Sequence, residues 1–199
     1  MPTTQLQFPL TLRMKLLALA PQFFVEDANQ KPVAYIKQKL FKLKEAINVF
    51  ADETQIEVLY TIAADRIIDF SARYNFKKPD GLALGSVKRH GMRSLWRAQY
   101  DVYDGERIAF TVSEESVATR FFDNIFSQIP VLGVLSGYIF QPSYIVKRES
   151  GEDVMRLSKQ PALWEGIFKM ERLGPLTHAE QESLMLSLFM TILLERQRG

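Results

Sequence analysis

Leu184-Met185-Leu186-Ser187-Leu188-Phe189-Met190-Thr191-Ile192-Leu193-Leu194 is the stretch on which the reading of this chain turns. It follows Gly174-Pro175, which stops what precedes it, and Thr177-His178-Ala179-Glu180, a capping box. In that box the Thr hydroxyl and the Glu carboxylate each take an orphan backbone N–H. A helix from about Ala179 to Arg196 is therefore expected, about 27 Å long. Its middle is apolar on every side, so it must be buried on every side. The 11 residues from Leu184 to Leu194 fall short of the roughly 20 that a spanning helix needs. The partner has to be a wall that surrounds the helix.

The rest of the chain supplies one. Its dominant period is two. Ala34, Ile36, Gln38 and Leu40 alternate with Val33, Tyr35, Lys37 and Lys39. Ile68, Phe70, Ala72 and Tyr74 alternate with Asp69, Ser71 and Arg73; Trp96, Ala98, Tyr100 and Val102 alternate with Arg97, Gln99 and Asp101. Val58, Tyr60 and Ile62, then Ile108, Phe110 and Val112, then Trp164, Phe168 and Met170 continue the pattern. Such alternation means strands with one buried and one wet face. Asp80-Gly81 and Asp104-Gly105 tolerate the positive φ of tight hairpin turns. Ten to twelve strands of this kind predict an antiparallel barrel or sandwich. A closed barrel of that size has the bore for a helix. Glu114–Gln128, with Val117, Phe121, Phe122 and Ile125 at helical spacing, predicts one short amphipathic helix besides.

Composition narrows the chemistry. The 199 residues are 47% apolar and 12% aromatic, enough to fold, with no Cys and two His. That excludes disulfides, thiolate nucleophiles, zinc–thiolate and iron–sulfur sites. Thr11–Ala20 imitates a signal peptide, but its apolar run, Leu16 to Ala20, is too short. Leu12, Met14 and Leu16 facing opposite Arg13 and Lys15 read instead as a strand. Phe121–Phe140 is interrupted by Asp123, Asn124, Gln128 and Pro130 and does not read as a membrane span. A soluble, cytoplasmic protein with one domain over 1–199 is expected, without cofactor or metal.

Tyr35-Ile36-Lys37-Gln38-Lys39-Leu40-Phe41-Lys42-Leu43-Lys44, Ile47–Asp52, Leu59–Ile62 and the apolar helix after Trp164–Phe168 resemble the LURP-one-related family. That family belongs to the tubby-like, scramblase-like superfamily. The resemblance runs from about Phe8 onward. It implies a twelve-stranded barrel around a central hydrophobic helix, the architecture that the pattern predicts. It also implies a binding module near membranes, since tubby proteins hold phosphoinositide headgroups on basic residues. The Pro-rich segment, Cys cluster and calcium loop of scramblases have no counterpart in this chain.

Two basic clusters are candidates for an anion or lipid phosphate: Lys37, Lys39, Lys42 and Lys44, and Lys88, Arg89, Arg93 and Arg97. Lys and Arg beside aromatics suit an anionic surface, although such runs also serve only to keep strand faces solvated. Nucleic acid fits less well. Val131, Leu132, Val134, Leu135, Tyr138 and Phe140 are candidates for membrane, partner or oligomer contact, or for capping the barrel end. Asp65, Asp69, Asp101 and Asp104 read as turn and outer-face residues, and His90 and His178 have no sequence-adjacent catalytic partner. A non-enzymatic binding module is expected first, an oligomerising structural protein second and an enzyme third. Residues 1–100 carry 15 basic and 9 acidic residues, and residues 101–199 carry 10 and 14, so the net +2 conceals a charge split within one domain.

Overall fold

The computed structural model describes residues 6–15, 21–37, 46–66, 72–90, 98–115, 142–162 and 165–196. Twelve strands run β1 (Leu10–Lys15), β2 (Gln22–Glu26), β3 (Pro32–Lys37), β4 (Ile47–Phe50), β5 (Val58–Ala64), β6 (Arg73–Lys77), β7 (Ala83–Arg89), β8 (Gln99–Asp104), β9 (Arg107–Glu114), β10 (Ser143–Arg148), β11 (Asp153–Gln160) and β12 (Glu165–Arg172). One helix, α1 (His178–Arg196), follows them. Each strand pairs antiparallel with its neighbours in sequence. The barrel closes where β1 meets β12, from Leu10 opposite Met170 to Lys15 opposite Glu165. Closure leaves no open edge for another chain to pair with.

The alternation read from the sequence sets the faces. In β1, Leu10, Leu12 and Met14 are buried while Arg13 and Lys15 are exposed. Phe168 and Met170, Phe110 and Val112, and Tyr74 and Phe76 also join the core. Asp101 of β8 is buried on the outer face, and two further positions depart for identifiable reasons. Tyr35 is buried although it shares the outer face with Lys37, because it packs on Phe24 with ring centroids 5.1 Å apart. Ile108 is 41% exposed although it was expected to face inward with Phe110. A bulge at Val102/Tyr103 sets Ile108 opposite Tyr103 on the outer face and Phe110 opposite Val102 on the inner one. The helix expected over 114–128 lies outside the described residues apart from Glu114, which ends β9, and Glu115. Trp164 lies outside them too.

Twelve strands about 4.8 Å apart, tilted about 40°, enclose a cylinder of roughly 12 Å radius. That equals the radius of a helix with its side chains, about 5–6 Å, plus one layer of inward wall side chains. α1 fills this space. Gln181 through Leu193 are buried without a break. Phe189 meets Phe23 of β2 edge to face, with centroids 5.0 Å apart. Ser187 and Thr191, fully buried, are satisfied within the helix: their hydroxyls donate to the Ser183 and Ser187 carbonyls at 2.8 and 2.9 Å.

A carboxylate near each end pins the helix to the wall. Near its start, Glu182 is buried; the Tyr60 hydroxyl of β5 donates to Oε1 at 2.6 Å and Lys78 Nζ lies 2.9 Å from Oε2. Near its end, the Tyr100 hydroxyl of β8 donates to Glu195 Oε1 at 2.5 Å, with the Arg89 guanidinium 3.5 Å away. Burial, then donation to a carboxylate, pushes both phenols far above their ordinary range. An acid at a helix C-terminus is disfavoured by the macrodipole, so Glu195 depends on those partners more than Glu182 does. The capping box forms as expected: Thr177 N–H donates to Glu180 at 2.8 Å and Glu180 N–H to Thr177 Oγ1 at 3.3 Å. Arg148 of β10 joins it, donating to Glu180 at 2.7 Å and to the Pro175 carbonyl at 3.0 Å.

Leu188→Ala, which empties the bore at mid-helix, costs about 2–5 kcal/mol. Thermal unfolding followed by circular dichroism then shifts down by roughly 4–20 °C, and Leu188→Asp yields no soluble folded protein. Tyr60→Phe costs about 1–3 kcal/mol by orphaning a buried carboxylate oxygen. A double-mutant cycle with Glu182→Gln reads a coupling above about 0.5 kcal/mol, where strict additivity would contradict the pin. Burial alone would raise the Glu180 carboxyl, but hydrogen bonds from Arg148 and Thr177 outweigh it and hold the group below its ordinary range. A folded-state pKa below the unfolded one adds stability above about pH 4.3 that is lost as pH falls through the folded value. Glu180→Gln therefore lowers the melting temperature at pH 7 and flattens its decline between about pH 5 and 3.

Candidate functional site

Because strands alternate in direction, the connections alternate between two ends. The near end is where α1 enters. It holds connections 27–31, 51–57, 78–82, 105–106, 149–152 and 173–177, each of two to seven residues. The far end is where α1 leaves. Strand ends there bracket segments 16–21, 38–46, 65–72, 90–98, 115–142 and 161–164, up to 28 residues long, most of whose residues lie outside the described ones. Function collects on long connections carried by a rigid scaffold.

Charge separates along the same axis. The near-end connections contain two basic residues, Lys31 and Lys78, against eight acidic ones. The far-end connections contain seven basic residues against five acidic ones. The acidic connections are thus gathered at the near end, which alternating strand direction makes invisible to a linear count.

The strand ends that bracket all three sequence-predicted groups lie at the far end. Lys37 closes β3 there and is exposed. Lys39, Lys42 and Lys44 belong to the connection that follows, Arg93 and Arg97 to the one after β7, and Val131, Leu132, Val134, Leu135, Tyr138 and Phe140 to the one after β9. These eleven residues lie outside the described ones. Lys88 and Arg89 are described and face opposite ways. Arg89 turns into the barrel mouth, its side chain 12% exposed against Glu195 and its guanidinium 6.0 Å from the Tyr100 ring. Lys88 faces out.

The outer face around Lys88 is a charged row. Register sets Arg73 opposite Lys88 and Lys88 opposite Asp101. Two cations side by side repel. The Arg73 side chain leans away, pairing with Glu106 at 2.9 Å, donating to the Gly105 carbonyl at 2.9 Å and lying 4.0 Å over the Tyr103 ring. Lys88 is left between Asp65 and Asp101. Burial would raise the Asp65 carboxyl, but the Arg66 side chain, the Arg73 N–H and the charge of Lys88 together hold it below its usual range.

Both histidines gain partners that sequence spacing did not reveal. His90 Nδ1 sits 2.9 Å from Asp101 Oδ2, with Asp101 buried and the imidazole half exposed. His178 Nε2 lies 3.5 Å from Glu182, which already serves Tyr60 and Lys78. Asp101, read from the sequence as an outer-face residue, thus has a defined acceptor role that only the β7–β8 register creates. Among the described residues no three His, Asp or Glu side chains gather in a way that could hold a metal ion. No described helix is long and apolar enough to cross a membrane.

The architecture is shared. The chain resembles an X-ray structure of a protein from Arabidopsis thaliana, with a TM-score of 0.51 and 15% identity over 100% of this chain and 97% of that one. At that identity the likeness speaks for the fold. None of the curated proteins matches the sequence. A family model described as LURP-one-related matches residues 33–171, from β3 to the end of the barrel wall. With that match over more than half of its length, the chain belongs to the LURP-one-related family.

Proposed function

We propose that this protein is a non-enzymatic binding module whose far end engages anionic phospholipid of the phosphoinositide or phosphatidylserine type, at the cytoplasmic face of a membrane. The observation that carries the reading is topological. The strand ends that flank the segments carrying Lys39, Lys42 and Lys44, Arg93 and Arg97, and Val131–Phe140 all lie at one end of the barrel. Lys37 adds an exposed cation at the same end. Stable membrane attachment takes two signals, an apolar insertion and a basic patch, and the segments between those strand ends contain the residue types for both. Each cation close to an anionic surface contributes about 1 kcal/mol, screened by salt. The interior supports binding over catalysis: α1 occupies the bore, and its buried carboxylate Glu182 is held by Tyr60 and Lys78.

Co-sedimentation with liposomes checks this. The protein should partition onto vesicles containing phosphatidylserine or a phosphoinositide at low salt, and leave them as salt rises. Lys37→Glu with Lys39→Glu, Lys42→Glu and Lys44→Glu should lower the partition by more than about tenfold, given the per-cation contribution. No binding above that to neutral phosphatidylcholine vesicles would sink the proposal.

A further inference from the structure

The near end carries a surface of a different kind. The exposed large apolar side chains among the described residues are Ile56, Leu82, Ile108 and Leu173, exposed by 85, 57, 41 and 45%. Ile56 lies between β4 and β5, Leu82 between β6 and β7, Ile108 at the start of β9 and Leu173 just after β12, so all four stand on the near rim. Scattered exposed apolar residues are ordinary; four gathered at one end of a barrel, and none at the described part of the other, are not. Ile56, Leu82 and Ile108 recur two strands apart, about 10 Å along the rim.

Their presentation is built into the backbone. Leu82 N–H donates to Asp80 Oδ1 at 2.9 Å, and Gly81 takes a φ of +88° to make the turn. The 51–57 connection is closed by Ala51 N–H to the Glu57 carbonyl at 2.9 Å and by Thr54 N–H to Asp52 Oδ1 at 2.9 Å, with Gln55 at a φ of +58°. The β8–β9 bulge turns Ile108 outward. Residues held in this way lose little entropy when a partner covers them.

Charge selects the partner. Glu53, Glu57 and Asp80 stand between or beside these apolar residues and make no ion pair among the described residues. Of the acidic residues in the near-end connections, Glu106, Glu149 and Glu152 pair with Arg73, Arg107 and Arg148, which leaves Asp27, Asp52, Glu53, Glu57 and Asp80 against Lys31 and Lys78. An anionic membrane is repelled by such a rim, whereas a cationic polypeptide is drawn to it. We propose that the near rim is a docking surface for a basic, amphipathic segment of a partner protein, with apolar side chains set on Ile56, Leu82 and Ile108 and lysines or arginines facing Glu53 and Glu57. The proposal stands independently of lipid binding at the far end.

The probe is a fluorescein-labelled, lysine-rich helical peptide of 18 residues with leucine at every seventh position, a repeat of about 10.5 Å. Fluorescence anisotropy should show saturable binding to the full chain, weakened at high salt. Ile56→Ser with Leu82→Ser and Ile108→Ser should weaken it at least tenfold, and so should Glu53→Lys with Glu57→Lys. All five positions are exposed, so unchanged thermal unfolding of these variants is the fold control. Lys37→Glu at the far end should leave peptide binding unchanged, and the rim variants should leave liposome binding unchanged. Absence of saturable binding, or equal affinity for a peptide with serine in place of leucine, would overturn the proposal. So would sedimentation-velocity self-association that disappears in the rim variants, which would make the occupant a second copy of this chain.

Discussion

The filled bore governs this molecule. A wall of twelve strands cannot collapse on its own side chains as a smaller barrel does, so something apolar of helix width must occupy the axis. α1 meets that demand with buried side chains on all sides from Gln181 to Leu193. The constraint runs both ways. An all-round apolar helix would be insoluble without the wall, and the wall would hold a void without the helix. Ser187 and Thr191 are accommodated inside because their hydroxyls donate to the helix's own carbonyls.

The same arrangement moves function outward. With the axis taken, the surfaces left for recognition are the outer faces and the two ends. These ends are chemically unlike. The segments bracketed by far-end strand ends are long, while near-end connections are short, acidic and studded with exposed apolar residues. The pins reinforce the division: Glu182 with Tyr60 and Lys78 toward one end, Glu195 with Tyr100 and Arg89 toward the other.

Much of the fold was legible because its signals are local. Alternation in Leu10–Lys15 assigns faces within a few residues, and Asp80-Gly81 and Asp104-Gly105 announce their hairpins. The Thr177–Glu180 box marks the helix start within one turn. Alternation misled where register intervened. At Ile108 one bulge reversed the face, and at Tyr35 a neighbouring aromatic covered an outer position. The site was less legible, since the basic and apolar groups are far apart in sequence and were read as three separate possibilities.

From its sequence alone this protein is determined to be a β-barrel around a C-terminal helix, poor in the residues of metal and thiol chemistry. Periodicity, turn propensity and capping are short-range properties, written within a few residues of where they act. Only the tertiary structure decided that Tyr60 serves Glu182, 122 residues away, and that His90 meets Asp101. It alone gathered the acidic connections at the near end. Partnership across a barrel depends on strand direction and register, and these are set by closure of the whole wall, not by any one segment.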